Sequence, residues 1–153
     1  MTLWAVPPRM KILEALGCIA DARIKIDENK NVAHIGSSMR DKTYTVIFNL
    51  DNNEIDSDDN GSVFKGYLGY PSIAVLMLKG KLRFDAKIAQ ALKGIPWKEL
   101  NEKYKSYKIV EQKVKKKAEE KGMKNAEIDN FVDKILADIE KLGMKKLYVY
   151  GSH

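Results

Sequence analysis

The chain has 153 residues, 44% hydrophobic and 31% charged, with a formal net charge of +6. That length fits one domain and can take about 70% of the unfolded chain's surface out of water, so a core needs no disulfide or metal to hold it. The single cysteine, Cys18, excludes an internal disulfide, and the longest apolar run, Ile73 to Leu78, is far short of the roughly 20 residues that span a bilayer.

Residues 1–8 lack the basic opening and apolar centre of a signal peptide, and Gly151-Ser152-His153 reads as a probable tag remnant. A lone thiol suits a reducing compartment, so the expectation is one soluble, cytoplasmic domain over residues 1–150, with no membrane partner. Charge divides the chain. Eight cations face ten anions up to residue 78, and nineteen face eleven after it, all but Arg83 of those nineteen being lysine. Abundant Lys and Glu with little Cys and His resembles thermophile composition.

The first element reads as a helix. Pro8 suits its first turn, Met10, Leu13, Leu16 and Cys18 recur at helical spacing, and Gly17 either ends it or is tolerated. From Ala22 the period changes to two, with Ala22, Ile24 and Ile26 inward and Arg23, Lys25 and Asp27 outward. After the turn Glu28-Asn29-Lys30-Asn31, Val32 to Ser37 returns as a second strand. Thr43 to Leu50 is the clearest strand, Asp51-Asn52-Asn53 a turn, and Glu54–Ser57 a fourth strand, with a candidate fifth near Ser62–Lys65. Short turns between neighbours imply an antiparallel meander, open to water on one face.

Beyond Gly69 the pattern becomes helical. Pro71 opens and Gly80 closes a helix that is apolar nearly all round, hence buried. Asp85 caps a short helix that Gly94 stops. Pro96 opens a longer one running to about Lys121, with Trp97, Leu100, Tyr104, Tyr107, Val110, Val114 and Ala118 along one face. Asn125 caps a last helix with an apolar stripe from Ile128 to Leu142, ended by Gly143. The two long helices should form an antiparallel hairpin, and Leu147-Tyr148-Val149-Tyr150 is a candidate final strand. The fold class is therefore α+β: an antiparallel sheet of four to five strands (strand-rich 22–65) packed on helices (71–142), with the N-terminal and central helices covering one face and a C-terminal helical hairpin.

Asp56-Ser57-Asp58-Asp59-Asn60-Gly61 opens like a calcium loop, with oxygen ligands on alternate residues and a glycine at the sharp turn. The twelfth position, which needs a bidentate Glu, is Tyr67, so the reading is an acidic turn and no metal site is assigned. Lys65-Gly66-Tyr67-Leu68-Gly69-Tyr70-Pro71 places two glycines before a helix. Lys65, Gly66 and Gly69 are thus a candidate anion or ligand site, weighed against a tight crossover in which the aromatics pack. Ser37, Ser38, Arg40 and Lys42 form a polar turn whose hydroxyls and cations can hold a phosphate. His34 lies within a strand and reads as structural.

Lys105, Lys108, Lys113, Lys115, Lys116, Lys117 and Lys121 lie on one helical stretch and are the candidate surface for nucleic acid or an acidic protein. Glu111, Glu119 and Glu120 interleave them, and Lys115–Glu119 and Lys116–Glu120 are spaced as ion pairs of a solvated helix. No catalytic constellation and no cofactor motif is legible. The sequence points to a non-enzymatic binding module with a basic helical face. The alternatives are a homo-oligomeric interaction module, built on the stripe of the last helix, and a small-ligand site at residues 65–71.

Overall fold

A computed structural model describes residues 2–147; Tyr148, Val149 and Tyr150 of the candidate final strand lie outside the described residues. The protein is α+β, with a five-stranded, mostly antiparallel sheet and a helical second half. Strands β1 (Ile24–Asp27), β2 (Val32–Gly36), β3 (Thr43–Asn49) and β4 (Glu54–Ser57) form the expected meander in chain order. Their register brings Ile26 opposite Ala33 and Phe48 opposite Ile55. Ala33, Ile35, Val46, Phe48 and Ile55 are buried on one face, while Lys25, His34 and Thr45, neighbours across the strands, lie on the other, with Lys25 and His34 exposed.

The fifth strand is β5 (Lys145–Lys146), which pairs parallel to β4. Residues 62–65 are not a strand: Gly61–Lys65 form a single wide π turn, with Gly66 leaving it in the left-handed region. Two consecutive lysines carry no apolar period, so the strand they form is defined only by its hydrogen bonds at the sheet edge. The lysine amides donate to Asn53 and Thr2 carbonyls, and Leu3 bridges to Lys145. Further along, Ala5 pairs with Tyr67, which ties residues 2–5 to both β5 and the glycine-rich loop.

Helix α2 (Tyr70–Leu78) lies against β3 and β4, and its residues from Pro71 to Met77 are buried. Helix α1 (Arg9–Ala20) does not cover the sheet as expected; it packs on α2, α3 (Ala86–Ala91) and α6 (Asn125–Leu142). It is therefore enclosed from several sides, and even Glu14 is buried. Gly17 sits mid-helix because the Trp97 indole rests on it: a Cβ there would lie 2.7 Å from Nε1.

The helix expected over 96–121 is two. Helix α4 (Trp97–Tyr104) ends at Lys105, whose φ of 50° is left-handed, and α5 (Tyr107–Glu120) restarts behind Ser106, whose Oγ accepts the Ile109 amide. The break rotates the second half, so Tyr107 leaves the apolar stripe and is exposed while Val110, Val114 and Ala118 stay buried. α6 starts at Asn125 itself, after Lys124, without a side-chain cap. α5 and α6 form the expected hairpin about the turn at Gly122. Lys115 pairs with Asp129, residues equidistant from that turn, and Arg9 bridges Glu111 and Asp133, which are also equidistant. The α6 stripe that suggested self-association is consumed inside the chain: Ile128, Phe131, Val132, Ile135 and Ile139 are all in the core. No helix of the described residues is long and apolar enough to cross a membrane.

Candidate functional site

A cavity of about 280 Å3 opens where α1, the β2–β3 loop, the start of the π turn, α2 and α4 converge. Residues from Lys11 to Glu102 line it. Its walls are unusually polar for a folded interior, because Glu14, Arg23, Ser37 and Asp59 are each at most 5% exposed. Polar and charged groups are rarely buried this far without partners, so the partners define the site.

Helix α1 supplies Lys11 and Glu14, three residues apart and therefore on one face. Lys11 Nζ donates to Glu14 Oε1 at 3.2 Å, and Asn101 Nδ2 of α4 donates to the same oxygen at 3.1 Å. Burial disfavours the charge on Lys11, but the Glu14 carboxylate outweighs it and holds the ammonium above the usual lysine range. Asp59 accepts from the Ser62 hydroxyl at 2.7 Å and from the Ser62 amide at 3.2 Å, capping the π turn. The two buried carboxylates of the cavity are thus already held by donors.

The β2–β3 loop is fastened to α4. Ser38 Oγ accepts the Lys98 amide at 2.9 Å, satisfying a free donor of the helix's first turn from outside the helix. Ser37 donates to Asp41 at 2.8 Å, and Lys98 Nζ pairs with Asp41 at 2.7 Å. Those two bonds, that from Lys98 foremost, hold the Asp41 carboxyl below the usual range. Tyr44 and Tyr70 meet edge to face, with centroids 6.2 Å apart. Burial raises the Tyr70 phenol's pKa, against the pull of Arg23 beside it.

Arg23 is the centre of the site. The tight turn after α1, with Ala22 at φ 54°, turns it inward, so the expected outward alternation begins only at Ile24. Nη1 donates to the Gly36 carbonyl at 2.6 Å. Nε has no hydrogen-bond partner among the described residues, and the nearest carboxylate oxygen, on Asp21, is 3.6 Å away. Two other buried atoms of cavity residues are also unpartnered there, Trp97 Nε1 and Asn101 Oδ1. A buried polar atom left unpaired costs about 1–3 kcal/mol.

A family model described as "Uncharacterised conserved protein UCP014422" matches residues 4–145. The chain belongs to that family. No curated protein and no solved structure matches it. The family match spans the whole cavity, from Lys11 to Glu102.

The residues singled out by sequence lie mostly elsewhere. Lys65, Gly66 and Gly69 do not line the cavity, though Gly69 touches Asp59, which does. In their loop the Ala5 amide donates to the Gly66 carbonyl and the Leu68 amide to the Ala5 carbonyl. The acidic turn spreads its carboxylates: Asp58 accepts the Thr45 amide and Asp56 the Ser57 amide. No cluster of three metal-ligating side chains occurs among the described residues.

On α5, Lys115 pairs with Glu111 at 3.0 Å and with Asp129, in place of Glu119. Lys121 donates to the Lys93 carbonyl and Lys113 lies over the Tyr104 ring. Lys105, Lys108, Lys116 and Lys117 are exposed. Of the sequence candidates, only the polar turn Ser37, Ser38 and Lys42 reaches the cavity.

Glu14, Arg23, Trp97 and Asn101 escaped sequence reasoning. One signal was available: only four of the 27 basic residues are arginine. Arg9 and Arg83 are tied to carboxylates, and Arg40 donates to the Asp21 carbonyl. In a chain that uses lysine for solvated charge, the scarce arginines mark positions where the planar, multi-donor head group is needed.

Proposed function

We propose that the protein binds a small polar organic molecule in the cavity between α1, α4 and the β2–β3 loop. The observation that supports this is a concave site whose buried polar wall is only partly satisfied by the protein itself. Ligand sites combine concavity with a few convergent polar groups, and unpaired buried atoms are the groups a ligand can complete. At about 30 Å3 for a water molecule, the volume suits a ligand of roughly ten non-hydrogen atoms. The single buried thiol fits the cytoplasm, where such molecules abound. Trp97 lines the cavity, so binding is readable by its fluorescence once Trp4 is replaced by Phe. Titration with a library of small polar metabolites should give saturable changes for at least one member. A library without effect on emission or melting temperature overturns the reading.

A second reading keeps the basic helical face. Lys108, Lys116 and Lys117 stand exposed on α5, free to meet phosphates of a nucleic acid or an acidic protein surface. A salt-dependent mobility shift with RNA or DNA, abolished when Lys108, Lys113, Lys116 and Lys117 become glutamine, supports it; an unchanged affinity removes it.

A further inference from the structure

We propose that the cavity's ligand is a small carboxylic acid that also carries a hydrogen-bond donor, a hydroxy or amino acid in class, whose carboxylate is held by Arg23. The inference rests on the reading of the cavity as a ligand site and names what that site recognises.

The assignment follows from which demands the protein leaves open. The two buried carboxylates are engaged, Glu14 by Lys11 and Asn101, Asp59 by Ser62. The site therefore does not select a cation to neutralise them. The least satisfied charged group is Arg23. Its guanidinium carries five donors in a planar fork, its side chain is 2% exposed, and Nε lacks a hydrogen-bond partner. Asp21 lies outside hydrogen-bond range of that atom at 3.6 Å. A guanidinium this deep with a free edge matches the two-oxygen geometry of a carboxylate, and such charge-assisted pairs are the strong ones in a dry site. Lys42 and Lys98 at the same cavity add positive potential. The second open demand has the opposite sense: Asn101 Oδ1 is a buried acceptor without a donor. A ligand with an oxyanion at one end and a hydroxyl or ammonium group elsewhere meets both demands. Tyr44, Tyr70 and Trp97 supply the apolar surface between them.

The test uses a library of carboxylic acids of up to ten non-hydrogen atoms, each paired with its neutral amide, together with inorganic phosphate and small phosphate monoesters. Binding is read by melting temperature and Trp97 emission. Acids bearing a hydroxyl or amine should bind and their amides should not. Arg23→Gln should weaken the best acid on the order of tenfold to a hundredfold, with Arg23→Lys between. Because Arg23 is buried and its loss can compromise folding, the exposed rim residue gives a second variant: Lys42→Glu should weaken acids and leave neutral ligands unchanged.

Binding of amides as tight as that of acids, or acid affinity untouched by Arg23→Gln or Lys42→Glu, overturns the proposal and leaves the cavity a ligand site of another class. Preference for phosphates over every carboxylate overturns it in favour of phosphate recognition at the same arginine. No binding by any member overturns both this proposal and the reading on which it rests.

Discussion

Asp59 lays its carboxylate directly against the α-carbon of Gly69, so that a Cβ added there would meet Oδ2 at 2.2 Å. The carboxylate cannot easily swing away, because the Ser62 amide and hydroxyl hold it. The backbone of Gly69 is ordinary, with φ −77°, so substitution there is penalised by contact and not by backbone strain. Gly69→Ala should destabilise the protein by about 1–3 kcal/mol. In urea denaturation, Asp59→Ala combined with Gly69→Ala should cost less than the sum of the two single changes. Additive losses would show that the two residues do not press on each other.

Ser38 should matter beyond its own loop. Replacing it with Ala removes the acceptor for the Lys98 amide at the start of α4 and loosens the loop carrying Ser37 and Lys42. A helix cap of this kind contributes about 1 kcal/mol, within a range of roughly 0.5–2. Ser38→Ala should lower the denaturation midpoint by that amount, with Ser38→Asp recovering most of it. A midpoint equal to wild type would mean that solvent replaces the hydroxyl at no cost.

Acid should loosen the clamp between α1, α5 and α6. The hydrogen bond from Lys115 and the nearby Arg9 hold Asp129 below its ordinary carboxyl pKa of 3.8, against a smaller desolvation effect. A depressed folded-state pKa contributes stability that is complete above the ordinary value and is lost as pH falls through the depressed one. Stability should therefore decline below about pH 4, and Asp129→Asn should flatten that limb while lowering the plateau at neutral pH. Melting temperatures measured from pH 2 to 7 decide this. Identical slopes for both proteins would remove Asp129 from the account.

Cys18 should behave as an inert thiol. It is fully buried, and burial pushes its pKa up to about 11, so almost none of it is thiolate at pH 8. An aromatic disulfide reagent should react with one thiol per chain in denaturant and with none on the same timescale in native buffer. Rapid native reaction would place the thiol at a surface.

Phe64 is 76% exposed on the π turn, so it contributes little to the core. Phe64→Ser should change stability by less than about 0.5 kcal/mol, whereas Ile135→Ala, at a fully buried position, should cost about 2–5 kcal/mol. Equal effects would mean that Phe64 packs against something in solution.

The meander was legible because each of its strands carries its own period and its own turn: Tyr44, Val46 and Phe48 alternate, and Asp51-Asn52-Asn53 stops them. The buried helix was legible for a similar reason, since Pro71 and Gly80 bracket an unbroken apolar run. What was missed has a non-local cause. Lys105 and Ser106 look like any helical pair until the backbone turns left-handed at Lys105. β5 exists only because Asn53 and Thr2 present carbonyls to it. Arg23 follows the outward phase of a strand that, in the structure, has not yet begun at its position. The cavity was illegible because its wall draws on six separate stretches between Lys11 and Glu102. No local pattern records that Glu14 and Asn101, or Ser38 and Lys98, will meet.

The stitching of residues 2–5 has a consequence for how the molecule opens. The Trp4 amide donates to Met144, the Lys146 amide to Thr2, and the Leu68 amide to Ala5, so one short segment completes the pairing of two others remote in sequence. Peeling that segment away severs both connections together. Amide protons of Trp4, Ala5, Leu68 and Lys146 should therefore exchange with deuterium as one cooperative unit, although more than 140 positions separate the first from the last. Destabilising any one of the three strips should speed exchange in the other two.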